Sequence, residues 1–191
     1  MLEKLIIKHC APTLAGIKTG NLFNCAYTSK NQLIQEIVEI NKCCADCDIC
    51  TTVLAYLNER ALIYLYRPSR LKDDFCKKGI CEILEERGYP ICDICKCLDT
   101  LSSRVCSQQD FPHEIGCFLG YPACDVRGFI DGTKPCKLVG TWKVYEDEEI
   151  AKHLFKTYAK CTNEYMEHFE KGMSLEQLIK FAQNLRRYDY E

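Results

Sequence analysis

Cysteine is the residue that most constrains the fold of this chain, since it accounts for 16 of 191 residues. The densest run is Cys43-Cys44-Ala45-Asp46-Cys47-Asp48-Ile49-Cys50. Such a content approaches that of short chains held together by disulfides. A disulfide framework, a set of reduced thiols and a metal site imply different compartments and different kinds of fold. The rest of the sequence must therefore decide between them.

Length and composition favour a core that holds without disulfides. The chain is 47% hydrophobic and 27% charged, and its 191 residues suffice for one sizeable domain, which we predict over residues 1–191. Charges interrupt the N-terminal residues every few positions, so no apolar signal region is present. No window approaches the roughly 18 apolar residues of a membrane span. We therefore expect a cytoplasmic protein with reduced or metal-bound cysteines and no membrane partner.

The charge balance argues against nucleic acid as a partner. Lys and Arg number 25 against 27 Asp and Glu, so the net charge is −2 and supplies no field for a polyanion. Residues 111–130 superficially resemble a helix-turn-helix, but the second element carries only Arg127 as a base, opposed by Asp125 and Asp131. A DNA reader needs a basic face. The remaining partners are a protein or a small molecule.

Hydrophobic periodicity and turn residues predict an α+β fold. The clearest β signal is a central hairpin of residues 51–57 and 61–66, joined by residues 58–60. Further strands are predicted at residues 20–27 and 137–145. Together they give a small, mostly antiparallel sheet of about four strands, packed by six or seven helices.

Caps and breakers mark the helices. Ser29 is predicted to cap one helix, and Ser174 with Gln177 forms a capping box for the last. Pro12 and Gly16 are expected to end or kink an opening helix. The helix after Ser29 carries one apolar face, made of Leu33, Ile37, Ile40, Cys44 and Cys47.

Glycine divides the helices in the middle of the chain. Gly79 is predicted to split a helix that starts at Pro68 or Ser69, and Gly88 ends the second part. A further helix is predicted from Ile91 onwards. The long helix before Gly172 is predicted to carry Ile150 on its apolar face.

Four segments resemble a known family: HCAPTLAGIK at residues 9–18, LIYLYRP at 62–68, FPHEIG with FLGYP at 111–122, and WKVY at 142–145. They resemble an uncharacterised bacterial family catalogued as domain of unknown function 3793 (DUF3793), seen mainly in anaerobic Gram-positive bacteria. The resemblance implies a single-domain cytosolic bacterial protein and transfers no activity. The run at residues 43–50 departs from the family pattern, so the family function is not expected to depend on it.

Two cysteine clusters have the spacing of metal ligands. Cys44, Cys47 and Cys50 form one C-x-x-C-x-x-C series, which suggests zinc or an iron–sulfur cluster. Cys92 and Cys95 form a second pair, and Cys44, Cys47, Cys92 and Cys95 are candidate ligands of a four-thiolate zinc site, although the gap between the pairs exceeds that of a zinc ribbon. Two alternatives stay open. The cysteines could be small hydrophobes on helix faces, or Cys92 and Cys95 could be a redox pair near a helix start.

Cys10, His113 and Glu114 are the candidate catalytic residues, because they lie in the segments that carry the resemblance. A cysteine beside a histidine is the minimum for thiolate catalysis, while Glu114 could instead serve the helix N-terminus. His9 and Arg67 are candidate ligand-binding residues. Arg67 lies between a strand and a helix start, a position that suits a phosphate or carboxylate, or else a salt bridge at the strand end.

Three classes of function follow. The leading hypothesis is a thiol-rich protein that handles metal or redox partners in an anaerobic cytosol. The second is an enzyme of unspecified reaction that uses Cys10 and His113. The third is a binding or scaffold module without chemistry, whose aromatic residues form core and partner surface: Tyr64, Tyr66, Phe118, Tyr121 and Trp142.

Overall fold

The computed structural model describes residues 2–107 and 111–188 of the chain, with side chains up to residue 181. The chain divides into two compact units. The first unit consists of the residues up to Pro68 and those from Tyr158 onwards, and the second unit is Ser69–Thr157. A single domain over residues 1–191 stays a prediction.

The described residues form nine helices and five short strands. The helices are α1 (Leu2–Leu14), α2 (Lys30–Cys43), α3 (Pro68–Phe75), α4 (Lys78–Glu86), α5 (Ile94–Cys106), α6 (Ile115–Phe118), α7 (Ala123–Asp131), α8 (Glu148–Glu170) and α9 (Leu175–Tyr188). The strands are β1 (Gly20–Ala26), β2 (Cys50–Leu57), β3 (Arg60–Tyr66), β4 (Leu138–Val139) and β5 (Lys143–Val144). Within these residues, no helix is both long and apolar enough to span a bilayer.

The first unit is built on an antiparallel sheet of strand order β1-β3-β2. β3 pairs with both neighbours, and the predicted hairpin of β2 and β3 is confirmed, with a bulge between Val53 and Ala55. Side chains of α1, α2, α8 and α9 contribute to one buried cluster with the sheet. Its members include Leu2, Ile6, Ile7, Cys10, Leu14, Leu33, Ile63, Leu65 and Leu178. The sheet is thus buried by helices whose apolar positions recur every three or four residues.

The second unit is mainly helical. Three of its buried aromatic side chains meet at Phe118, whose ring centroid lies 5.1 Å from that of Phe75 and 5.5 Å from that of Tyr89. Leu71, Leu84 and Leu101 are fully buried. The remaining two strands, β4 and β5, form a separate antiparallel hairpin.

Two predictions about strands and their number are corrected. The single strand expected at residues 137–145 is wrong, since the chain reverses there: Leu138 pairs with Val144, and the N–H of Gly140 donates to the carbonyl of Trp142. An alternating apolar and polar pattern is compatible with one long strand or with two short strands joined by a tight turn. The turn residues determine which of the two forms. The small antiparallel sheet with a central hairpin is confirmed. The described residues hold five strands in two sheets and nine helices, more than the four strands and six or seven helices expected.

Several helix boundaries also differ from expectation. α1 continues through Pro12 and ends before Gly16, which has a φ of 68°. The break between α3 and α4 precedes Gly79, which lies inside α4. The missing side chain permits close packing there, since a Cβ would lie 2.8 Å from the Cβ of Ala123. α5 begins at Ile94 after its cap Asp93, not at Ile91. Ile150 is exposed and Ala151 is the buried residue of that turn of α8.

Candidate functional site

Cys10 lies in the core of the first unit. Its side chain is fully buried on α1, and burial raises the pKa of its thiol. The neighbouring charged group is Lys18, whose buried ammonium donates to the carbonyl of Gly20, and burial lowers the pKa of Lys18 to about 7. A reactive cysteine instead requires a partly exposed, electropositive site that favours the thiolate. His9, the other candidate in this segment, stacks on Phe23 at 5.7 Å. His113 belongs to the second unit, so the pairing of Cys10 with His113 stays a prediction.

Glu114 is a buried carboxylate held by arginines of the second unit. Its Oε1 accepts hydrogen bonds from the hydroxyl of Tyr89 at 3.0 Å and from Nη1 of Arg104 at 3.2 Å. Its Oε2 lies 3.6 Å from Nη1 of Arg87. Glu114 is the N-cap residue of α6, although its side chain makes no capping hydrogen bond, and its role at the helix N-terminus stays a prediction. The ion pairs instead offset the cost of burying this charge.

Arg67 binds backbone carbonyls of the first unit. Its Nε donates to the carbonyl of Thr13 at 2.7 Å and its Nη2 to that of Leu14 at 2.6 Å, at the C-terminus of α1. Its Nη1 donates to the carbonyl of Cys47 at 3.0 Å and lies 3.9 Å from the carboxylate of Asp48. The guanidinium therefore ties the end of α1 to the segment after α2. Its proposed role as a ligand-binding residue stays a prediction.

The structure holds all sixteen cysteines as free thiols. Cys44 is buried in the first unit, where burial raises its pKa to about 12, and Cys47 is half-buried. Cys92 and Cys95 are exposed residues of the second unit. Within residues 2–107 and 111–188, His, Cys, Asp and Glu side chains form no group of three or more that could hold a metal ion. This arrangement lends the zinc or iron–sulfur site no support, and that site stays a prediction.

The second unit contains an apolar cleft of about 410 Å³, hereafter the aromatic cleft. Its lining residues are Phe111, His113, Ile115, Gly116, Tyr121, Asp125, Val126, Phe129, Trp142 and Lys143. Phe111 is 47% exposed and Phe129 is 36% exposed, although both side chains are large and apolar. The aromatic cleft therefore opens to solvent through phenylalanine side chains.

The corner between α6 and α7 shapes the floor of the aromatic cleft. Gly120, with a φ of 73°, turns the chain between the two helices, in a conformation that favours glycine. Gly116 lets the helices approach closely, since a Cβ there would lie 2.8 Å from Cγ2 of Val126. Ile115 and Val126 thereby contribute buried apolar surface to the floor.

Asp125 fixes the hairpin that forms one wall. Its Oδ2 accepts from the indole N–H of Trp142 at 2.7 Å, and its Oδ1 accepts from the backbone N–H of Tyr145 at 2.6 Å and of Glu146 at 3.3 Å. The carboxylate is buried, so these N–H donors replace the water it has lost. Trp142 is thereby held in one orientation at the aromatic cleft.

Ring contacts position several other side chains of the aromatic cleft. Trp142 stacks on Tyr121 at 4.8 Å and meets Phe155 edge-on at 4.6 Å. His113 meets Phe129 edge-on at 4.8 Å, and the ammonium of Lys143 lies 5.0 Å from the centroid of the same ring. These are ordinary aromatic and cation–π distances.

Sequence reasoning found part of this site. It singled out His113 as a candidate catalytic residue, and Tyr121 and Trp142 as aromatic surface. It missed Phe111, Phe129 and Lys143, which come from different elements. The segments at 111–122 and 142–145 were the available signal, because the resemblance rests on them and they contribute most of the lining.

Comparisons with known proteins give the family and nothing further. Neither a search of curated proteins nor a search of solved structures found a match to the chain. The model of a family described as protein of unknown function (DUF3793) matches residues 6–179. That range covers most of the 191 residues, including the segments that form the aromatic cleft. The chain therefore belongs to the DUF3793 family of proteins of unknown function.

Proposed function

We propose that this protein is a binding module whose aromatic cleft takes a small organic molecule with an apolar, planar body. The observation that carries the proposal is the aromatic cleft itself, of about 410 Å³, with Phe111 and Phe129 exposed at its edge. Ligand pockets typically span roughly 300–1,000 Å³, lined by apolar and aromatic side chains with a few polar groups. The aromatic cleft has this size and this lining.

The exposure of Phe111 and Phe129 favours a ligand-binding role for these side chains over a structural one. Phe111 and Phe129 leave apolar surface in water, which costs free energy that a planar ligand would recover by covering it. The neighbouring Trp142 is already oriented by Asp125, so little side-chain order would be lost on binding. A preformed wall with exposed apolar edges favours a small occupant.

The thiol-based functions remain alternative proposals. Full burial and the raised pKa of its thiol oppose a catalytic role for Cys10, because both disfavour the reactive thiolate. A metal or redox role for Cys44, Cys47, Cys92 and Cys95 is tested by metal analysis and an optical spectrum of anaerobically purified protein. Stoichiometric zinc, or iron with cluster absorbance, would favour that alternative.

Trp142 makes the binding proposal testable, because it is the single tryptophan of the chain and lines the aromatic cleft. The probe is N-phenyl-1-naphthylamine, a neutral dye that becomes fluorescent in apolar surroundings. We expect saturable one-to-one binding, with energy transfer from Trp142 to the dye. Phe129→Ala should weaken binding about tenfold, the loss expected for one aromatic contact of about 1.4 kcal/mol.

Ile150→Ala is the matched control, since Ile150 is 61% exposed in the same unit and does not line the aromatic cleft. It should leave dye binding unchanged. Non-saturable dye fluorescence, or equal weakening by both variants, would overturn the proposal. So would a change of Trp142 emission on dilution of the protein alone, because a second copy of the chain would then cover the aromatic cleft.

A further inference from the structure

We infer that the ligand of the aromatic cleft is an organic acid, a carboxylate attached to an apolar planar body, and that Lys143 is the residue that selects it. This inference rests on the proposed function and adds the charge of the ligand. Two observations support the inference. The first is the charge of the side chains that line the aromatic cleft, and the second is that protein side chains already pack against the rings of Trp142 and Phe129.

Lys143 supplies the positive charge of the aromatic cleft. Its ammonium lies 5.0 Å from the ring centroid of Phe129, while its side chain is exposed. Among the ion pairs of the described residues, none includes Lys143 or His113. Both side chains line the aromatic cleft with donors available to a ligand.

Among the described lining residues, the one carboxylate is already bound within the protein. Asp125 accepts hydrogen bonds from the indole N–H of Trp142 and from the backbone N–H groups of Tyr145 and Glu146. Both carboxylate oxygens are engaged, and the side chain is buried. Asp125 thus acts as a fixed support for the hairpin, and among the described lining residues Lys143 presents its charge to a ligand.

A cationic ligand fits this site poorly, although aromatic clefts often bind cations. Such ligands need open ring faces. Trp142 is stacked on Tyr121 and in edge contact with Phe155, and Phe129 already carries the ammonium of Lys143. A ligand cation would also lie beside that ammonium and be repelled by it.

A carboxylate fits better than a phosphate. A phosphate dianion is held best by arginine forks or by several convergent N–H donors. The described lining offers one ammonium and one imidazole in mainly apolar surroundings, which matches a single negative charge on a largely apolar molecule. The planar body would then pack against Phe111 and against the part of Phe129 that is exposed to solvent, while the carboxylate meets Lys143.

The test compares ligands of one shape and different charge. 2-Naphthoate, 2-naphthamide and (2-naphthylmethyl)ammonium each compete with N-phenyl-1-naphthylamine, and direct quenching of Trp142 is followed in parallel. We expect naphthoate to bind about fivefold more tightly than naphthamide, which corresponds to an ion pair of about 1 kcal/mol. The ammonium compound should bind most weakly.

Lys143→Gln should abolish the preference, so that naphthoate and naphthamide bind this variant with the same affinity. Lys134→Gln, which removes the same charge from an exposed position outside the aromatic cleft, should change none of the affinities. Dye binding without preference for naphthoate, or a preference that survives Lys143→Gln, would overturn the inference and leave the proposed function intact. Absence of both dye binding and Trp142 quenching would overturn the proposed function itself.

Discussion

Arg67 shows how one side chain can complete a helix end in the first unit. The last carbonyls of an α-helix have no partner within the helix. Arg67 donates to two of them, those of Thr13 and Leu14, and to the carbonyl of Cys47. The planar guanidinium fits this arrangement because its donors are held in a fixed fork. A lysine has the same charge and lacks the fork.

Arg67→Lys should therefore lower the free energy of unfolding by about 2 kcal/mol, because at least one buried carbonyl loses its donor. Urea denaturation followed by circular dichroism measures the change. Arg60→Lys is the matched control: Arg60 is exposed at the β2–β3 turn and should change stability by less than about 0.5 kcal/mol. Equal effects of the two variants would show that the buried fork is not what stabilises the end of α1.

At the scale of elements, the β4–β5 hairpin depends on Gly140. A Cβ at this position would collide with the ring of Phe155, and Phe155 in turn packs edge-on against Trp142. Gly140 thus permits the close approach that keeps the hairpin against α8 within the second unit. Through Phe155 and Trp142, the same glycine also influences the aromatic cleft.

We expect Gly140→Ala to displace Phe155 and to lower the free energy of unfolding by about 1–3 kcal/mol, as overpacking does. The emission of Trp142 should shift to longer wavelength, since its packing against Phe155 loosens. Val139→Ala serves as the control, because the neighbouring Val139 is 67% exposed. An unshifted emission spectrum in Gly140→Ala would contradict the proposed dependence of Trp142 on this glycine.

Local chemistry made several elements predictable. Ser29 accepts from the N–H of Gln32, and Ser174 and Gln177 form the reciprocal capping box, as their spacing predicts. The hairpin at residues 137–145 was not predictable in this way, because the need for glycine at its turn comes from the close approach of Phe155, which lies 15 residues further along the chain. The aromatic cleft was predictable only in part, since Phe111, Phe129 and Lys143 are brought together by tertiary packing.

At the scale of the whole molecule, buried thiols set a limit on stability at alkaline pH. Burial raises the pKa of Cys44, Cys117 and Cys161 to about 12, from an ordinary value of 9.0. Above pH 9 the unfolded chain loses these protons while the folded chain keeps them. The folded state then binds more protons, so the free energy of unfolding falls as pH rises. Lys18, whose pKa is lowered by burial to about 7, acts in the opposite direction and limits the fall.

Cys161→Ala should flatten this fall between about pH 9 and 10.5, by about 1.4 kcal/mol per pH unit for one thiol. Denaturation at a series of pH values under reducing conditions measures the slope. The exposed thiol of Cys92 provides the comparison, and Cys92→Ala should keep the original slope. An unchanged slope in Cys161→Ala would mean that this thiol does not contribute to the alkaline loss.

Buried thiols in both units allow local unfolding of the native protein to be measured by thiol labelling. Cys10 and Cys44 are buried in the first unit, and Cys97 and Cys117 are buried in the second. A sulfhydryl reagent reaches such a group only when the surrounding structure opens, so each labelling rate measures a local opening equilibrium. Mass spectrometry of a labelling time course would therefore give separate opening free energies for the two units, without a single engineered probe.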